Sequence, residues 1–344
     1  MKSAILTESN KPLVIADIDL PKNLEFGQVL VKVFFSGLCG AQINEIEALK
    51  GPDKFLPHLL GHEGSGVVEE IGDGVTSAKV GDHVVLHWRK SSGLQSSTPK
   101  YLWNGKQVNA GWVTTFNEKT IVSENRITVI PKNFDLRIAA LFGCAVTSGF
   151  GAVNNDAQVK IGQSVLIFGI GGMGLSIALA SSLVSAFPVV GIDLHKDKID
   201  LGKKFGLTHG IDAKSKNLKD DILNIVGKSG PDIIFETTGN AKLMEKAYEL
   251  TPNDGKTVFV GVPDNKISIN SLPLAFDKVL AVSHGGDSVP DKDIPRYIKL
   301  IKNNKINLEK LITHEFDLSE INKAIDLFRT GKAGRIILKI SSEG

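Results

Sequence analysis

An apolar run that breaks at once into three spaced glycines constrains this chain more than any other feature. The segment SVLIFGIGGMG (164–174) reads as a short buried strand turning directly into a helix that runs to about Ala186. Gly169, Gly171 and Gly174 hold the GxGxxG spacing. In such a turn the first glycine makes the reversal and the second lets backbone approach a pyrophosphate. The third packs helix on strand, and the helix start offers free N–H groups to phosphate. With 35 glycines in the chain the spacing alone would be weak, so the context carries the weight. The next apolar run, VVGID (189–193), ends on Asp193. A carboxylate there accepts from both ribose hydroxyls and repels a 2′-phosphate, so the expected cofactor is NAD. THGID (208–212), DIIFE (232–236), TVFVG (257–261) and VLAVS (279–283) follow as short strands with helical segments between most of them. Strands alternating with helices imply a parallel sheet covered on both faces, and six strands fit a doubly wound nucleotide domain.

The first third has a different texture. VLVKVFF (29–35), GVVEEIG (66–72), GDHVVLHW (81–88) and WVTTFNEKTIV (112–122) are expected strands, and MKSAILTESNKPLVI alternates like a first strand. SSGLQSSTP (91–99) reads as a surface loop. After Ser283 come two amphipathic helices, near 293–304 and 319–330, and a closing strand RIILKI (335–340). The expected class is therefore α/β: a β-rich domain over 1–145 and 286–344, interrupted by a doubly wound domain over 146–285.

Charge narrows the function. Forty basic residues against 38 acidic ones give +2, without the basic bias of a nucleic-acid binder. No uncharged stretch has the length of a membrane span, and the N-terminus lacks a signal-peptide core. Two cysteines make no disulfide framework. The expected setting is cytoplasmic with reduced thiols, and the expected partner is a small-molecule substrate, with neither nucleic acid nor membrane.

Those two cysteines stand in glycine-punctuated stretches. Cys39 lies in FFSGLCGAQIN (34–44) and Cys144 in LFGCAVTSGFGAV (141–153), while His62 and Glu63 lie in GHEGSG (61–66). Singly, each fits a packing role. Together, two thiols and an imidazole make an open zinc site, with a water or substrate oxygen in the fourth place. Sequence does not show that they converge, so both readings stand at this point.

The motifs in order resemble the zinc-containing medium-chain alcohol dehydrogenases over essentially the whole length, most closely their class I and class III branch. They are GLCGAQIN, GHEGSGVVEEIG, GDHVVLHW, GWVTTFNEKTIVSENRITVIP, LFGCAVTSGFGAV, GIGGMG, IDLHKDK, TVFVGVPDNKISIN and GKAGRIILKI. The resemblance implies a GroES-like catalytic domain with an inserted Rossmann domain. It implies Cys39, His62 and Cys144 as catalytic zinc ligands. Glu63 would be the neighbouring acid, beside the ligands or swung in as a fourth. Gly169, Gly171, Gly172, Met173, Gly174, Asp193, Lys198, Val262 and Arg335 would contact NAD, Asp193 and Lys198 at the ribose and Arg335 at the pyrophosphate. Trp88 would wall the substrate pocket, and TVFVGVPDNKISIN would be an intersubunit edge strand, giving a homodimer or a tetramer. The implied reaction moves a hydride between NAD(H) and an alcohol, aldehyde or ketone, with zinc as Lewis acid; a polyol or sugar derivative is one expected substrate.

The chain also departs from the pattern. The stretch HWRKSSGLQSSTPKYLWNG has no cysteine where the long form carries a four-cysteine zinc lobe, so one zinc per chain is expected. His87, Trp88, Arg89 and Lys90 there are candidate substrate contacts, beside the reading as a solvated loop. Where the family has a Ser or Thr relay stands Ala41; where it has an Asp that partners the zinc site from behind the ligands stands Gln42; and Asn44 stands where some members carry a relay His. Gly40 replaces a basic phosphate contact. Water, a cofactor hydroxyl or His87 would have to replace the relay. Ala41 motivates a second reading, a zinc- and NAD-using enzyme with a different net reaction; a third, a non-catalytic binding protein, is disfavoured by the retained ligands and nucleotide fingerprint.

Overall fold

The computed structural model describes residues 1–49 and 51–342. They form two compact units, one from residues up to 147 together with those from 289 to 342, the other Ser148–Ser288.

The first unit is built on one long strand, Gln28–Leu38. Its alternating apolar residues Val29, Val31 and Val33 enter the core, as a period of two requires. Glu63–Ile71 and Arg335–Lys339 flank it as antiparallel neighbours, and Lys119–Ser123 also pairs with it. His83–His87 and Ile127–Ile130 extend the sheet on one side and Ile312–Asp317 on the other. A second sheet joins Val14–Asp17, Lys2–Leu6 and His58–Leu59, so the N-terminal stretch makes two strands rather than one. The helices Pro290–Lys302 and Ile321–Arg329 follow the sequence expectation.

One expectation fails here, and one element was not foreseen. Of 112–122 only Lys119–Ser123 is a strand; Thr115 and Phe116 give their N–H groups to Leu60 O instead of a ladder. Gly61, at φ +92, permits that approach, because a Cβ there would lie 2.8 Å from Thr115 N. Past the irregular stretch 91–99, Tyr101–Trp103 and Lys106–Val108 form a hairpin that the polar sequence did not signal.

The second unit is a six-stranded sheet in the order 209–212, 189–193, 165–168, 233–236, 256–259, 279–282, parallel throughout. That is the doubly wound dinucleotide arrangement, with its crevice outside the carboxyl ends of the strands. Lys256–Phe259 lies between two neighbours, and the edge strands are His209–Asp212 and Val279–Val282. The stretch expected as an edge, 257–270, is therefore interior strand followed by irregular chain. Among the described residues no single helix is long and apolar enough to cross a membrane.

Candidate metal centre and nucleotide turn

Three local structures deliver three ligating side chains. Cys39 ends the long strand and caps the helix Gly40–Ile46 in extended conformation. His62 precedes the strand Glu63–Ile71 just after the left-handed Gly61. Cys144 sits between a 3-10 turn, Ala140–Gly143, and the helix Ala145–Gly151. Their ligating atoms all lie within 4.8 Å of one another. A zinc tetrahedron with Zn–S near 2.3 Å has edges of about 3.8 Å, so a small contraction closes the set.

The electrostatics favour a metal. The Cys39 thiol is held well below its ordinary pKa by the hydrogen bond from Cys144, with help from His62 and Arg335, against the opposing effect of burial. His62 Nε2 is buried without a hydrogen-bond partner, and so is Gln42 Oε1 nearby. A buried imidazole nitrogen left unsatisfied beside two thiols, one of them poised to ionise, is the donor set a zinc ion completes.

Glu63 and Arg335 meet directly behind these ligands. Glu63 is wholly buried, and its Oε1 accepts from Arg335 Nη2; Ala145 N donates weakly to Oε2, at 3.4 Å. The strands of Glu63 and Arg335 flank Gln28–Leu38 on opposite sides. Their side chains reach each other over Gly37, where a Cβ would stand 2.5 Å from Glu63 Oε1 and 2.8 Å from Arg335 Nη2. Arg335 is only 4% exposed and paired with Glu63 through Nη2, while its Nε has no partner. In this arrangement Glu63 is held by the guanidinium rather than offered as a fourth ligand.

The expected substrate wall is mixed. His87 is enclosed, with Nδ1 donating to Arg89 O (2.7 Å) and Nε2 accepting from Thr128 Oγ1 (3.0 Å). Burial lowers its pKa to about 4. It is a neutral structural residue, and the expectation of a pocket or relay role is corrected. Trp88 is partly exposed, with its carbonyl taking a hydrogen bond from Arg126 Nη1 and with Arg89 6.0 Å over its ring. Ala41 is exposed and Asn44 partly so, both on the helix that Cys39 begins. Sequence reading missed Arg126, which also lies 5.6 Å from the Trp112 ring and donates to Gln95 Oε1. It missed the contact of Gln42 Nε2 with His62 Nδ1 as well. Nothing in the sequence marked the pairings of Arg126, whereas the motif position of Gln42 had already put it near the metal ligands.

In the second unit the glycines divide by physical cause. Gly169 has φ +87, which only glycine takes freely. A Cβ on Gly174 would overlap Gly169 O, so helix packing demands glycine there. Gly171 has ordinary φ −79, and no protein atom lies within 4 Å of the Cβ it lacks. Nothing inside the chain requires glycine at that position; a closely approaching pyrophosphate does, which is the fit expected for NAD. Gly172 and Met173 open the helix Gly172–Leu183. Asp193 already accepts from Ile170 N (2.7 Å) and His195 N (2.9 Å), which leaves lone pairs for a ribose diol. Lys198 is largely buried in the following helix, and Val262 is half exposed.

Known proteins share this architecture. Residues 169–303 match the zinc-binding dehydrogenase family and residues 25–132 the alcohol dehydrogenase GroES-like domain. The S-(hydroxymethyl)glutathione dehydrogenases of Escherichia coli O157:H7 and Shigella sonnei are each 32% identical over 370 residues, spanning 98% of this chain and 99% of theirs. Benzyl alcohol dehydrogenase from Acinetobacter calcoaceticus superposes with a TM-score of 0.88 at 25% identity, over 99% of both chains. Zinc-dependent alcohol dehydrogenase 2 from Streptococcus pneumonia shares the fold, with a TM-score of 0.85 at 23% identity over the full length of both.

Proposed function

The chain belongs to the zinc-dependent medium-chain alcohol dehydrogenase family, and on that premise we propose which residues carry its chemistry and what it acts on. It is an oxidoreductase of alcohols and aldehydes using one zinc and NAD; two cysteines in all leave no four-cysteine structural site. The observation that carries the residue assignment is the meeting of Cys39, His62 and Cys144 within 4.8 Å.

When bound, zinc polarises the substrate oxygen and NAD accepts or returns the hydride. The chain's own residues do the rest. The two thiolates balance the metal's charge, and His62 ligates through its unpartnered Nε2. Arg335 neutralises Glu63 within the protein, so that carboxylate neither competes for the metal nor adds charge to it. Gly171 leaves room for the pyrophosphate, and Asp193 meets the ribose.

For the substrate we favour a polyol or sugar derivative. Ala41 has no hydroxyl and His87 is closed off, so neither can pass on the alcohol proton. A second hydroxyl on the substrate would supply its own relay. Initial rates with vicinal diols and with mono-alcohols of equal chain length test this. Diols are expected to show kcat/KM at least about 100-fold higher, the lower range for acid–base assistance. Equal values would remove the polyol reading. No change in nicotinamide absorbance with any alcohol, while zinc and NAD bind, would favour a different net reaction.

We also propose a homodimer through the edge of the six-stranded sheet, where Val282, Leu272 and Phe276 are 74%, 66% and 75% exposed. Light scattering on the purified protein distinguishes dimer from tetramer. The need to keep two ligating thiolates reduced supports a cytoplasmic setting.

A further inference from the structure

We infer that Glu236 is a positioning residue for NAD: its carboxylate folds the turn 237–239, and that turn braces Gly169 on one side and Gly261 and Val262 on the other. The inference rests on the NAD reading above, and it gives a task to a buried acid that the proposed chemistry leaves idle.

Glu236 ends the strand Ile233–Glu236 and is 0% exposed. Its Oε1 accepts from Thr238 N (2.8 Å) and from Thr238 Oγ1, and its Oε2 accepts from Gly239 N (3.1 Å). Burial raises its pKa, these three donors oppose the rise, and the charge of Asp264 adds to it. An ionised carboxylate only accepts, so it satisfies all three donors at once. An amide of the same shape would turn its NH2 group against one of the backbone N–H groups.

The turn so folded holds two others. Thr237 N donates to Phe168 O (3.0 Å), and Thr237 Oγ1 lies 2.9 Å from both Phe168 O and Gly169 O. Thr237 Oγ1 and Thr238 Cγ2 fill the space beside Gly169, 2.8 and 2.7 Å from the Cβ it lacks. On the other side a Cβ on Gly239 would stand 2.2 Å from Val262 O, and one on Gly261 would stand 3.0 Å from Glu236 Oε2. Val260 N and Gly261 N both donate to Glu236 O, at 2.8 and 3.0 Å. The chain leaving three neighbouring strands, 165–168, 233–236 and 256–259, therefore converges on one residue.

The place of this residue in the sheet says which part of the cofactor it serves. A dinucleotide crosses the carboxyl ends where the strand order reverses, here between 165–168 and 233–236. Asp193 stands on the adenosine side of that point, so the turns after 233–236 and 256–259 face the nicotinamide side. Glu236 acts on the pyrophosphate and nicotinamide half and leaves the adenosine half to Asp193.

The test uses the full-length, zinc-loaded enzyme and two ligands. NAD is titrated by calorimetry, and adenosine, which reaches the Asp193 side alone, by ligand NMR. In Glu236→Gln the dissociation constant for NAD is expected to rise about 10- to 100-fold, the worth of a hydrogen bond to a charged group, while that for adenosine stays within about threefold. Thr238→Val keeps the shape, the carboxylate and both backbone bonds but loses the hydroxyl donor. It is expected to weaken NAD relative to adenosine by about 3- to 10-fold, and it decides the matter if Glu236→Gln does not fold. Loss of both ligands alike, which a merely structural role would give, overturns the inference, and so does unchanged NAD affinity in either variant. In both cases the NAD reading stands. Failure of the wild type to bind NAD overturns that reading and the inference together.

Discussion

Arg335 and Glu63 stand 272 positions apart in the chain and form one buried ion pair across Gly37. Burying two charges is costly, and removing one partner leaves the other uncompensated. Arg335→Met is therefore expected to lower unfolding free energy by about 3–5 kcal/mol. The double variant Glu63→Gln/Arg335→Met should lose clearly less than the sum of the single changes. Urea denaturation of the four proteins in the cycle decides it, and additive losses would show that the pair is not coupled.

Gly171 and Gly174 are three positions apart in one motif and should respond oppositely. Gly174→Ala forces a Cβ onto Gly169 O and is expected to cost about 1–3 kcal/mol of stability. Gly171→Ala meets no protein atom, so its melting temperature should stay near wild type while NAD binding weakens. Calorimetry with and without NAD reads both effects. Unimpaired NAD binding in Gly171→Ala would refute the cradle.

Asp193 serves the turn and the cofactor together. Asp193→Ala removes the acceptor for Ile170 N and His195 N as well as the ribose contact. NAD affinity should fall by about 10- to 100-fold, the worth of a charge-assisted hydrogen bond. Discrimination against NADP should fall with it. Titration with both nucleotides measures the ratio; an unchanged ratio would mean that Asp193 does not select the cofactor.

His87 makes stability depend on pH. In the folded chain burial keeps it neutral down to about 4, whereas the unfolded residue takes its proton near 6.5. Its contribution is whole above pH 6.5 and is lost as pH falls towards 4. About 2 kcal/mol should be gone at pH 5. Denaturation midpoints at pH 8 and 5 should differ less in His87→Gln than in wild type.

The nucleotide turn was legible because its determinants are local. Strand, GIGGMG, helix and Asp193 follow one another in sequence, and each glycine's role is set by neighbours a few residues away. Residues 112–117 misled because β-branched content suits a strand equally well when the backbone bonds elsewhere. His87 misled for a related reason. Its type suggested chemistry, and only Thr128 Oγ1 and Arg89 O showed both ring nitrogens to be engaged.

The sequence by itself determined the doubly wound unit, NAD as its cofactor, and the absence of a four-cysteine site. Those follow from short-range spacing and from a count of cysteines. Only the tertiary structure decided that Cys39, His62 and Cys144 meet, that Arg335 pairs with Glu63, and that the Gln42 amide lies against His62. Each of these is a contact made across strands or turns distant in sequence. Strand order, register and a missing Cβ at Gly37 fix such contacts, and no local pattern of residue types records them.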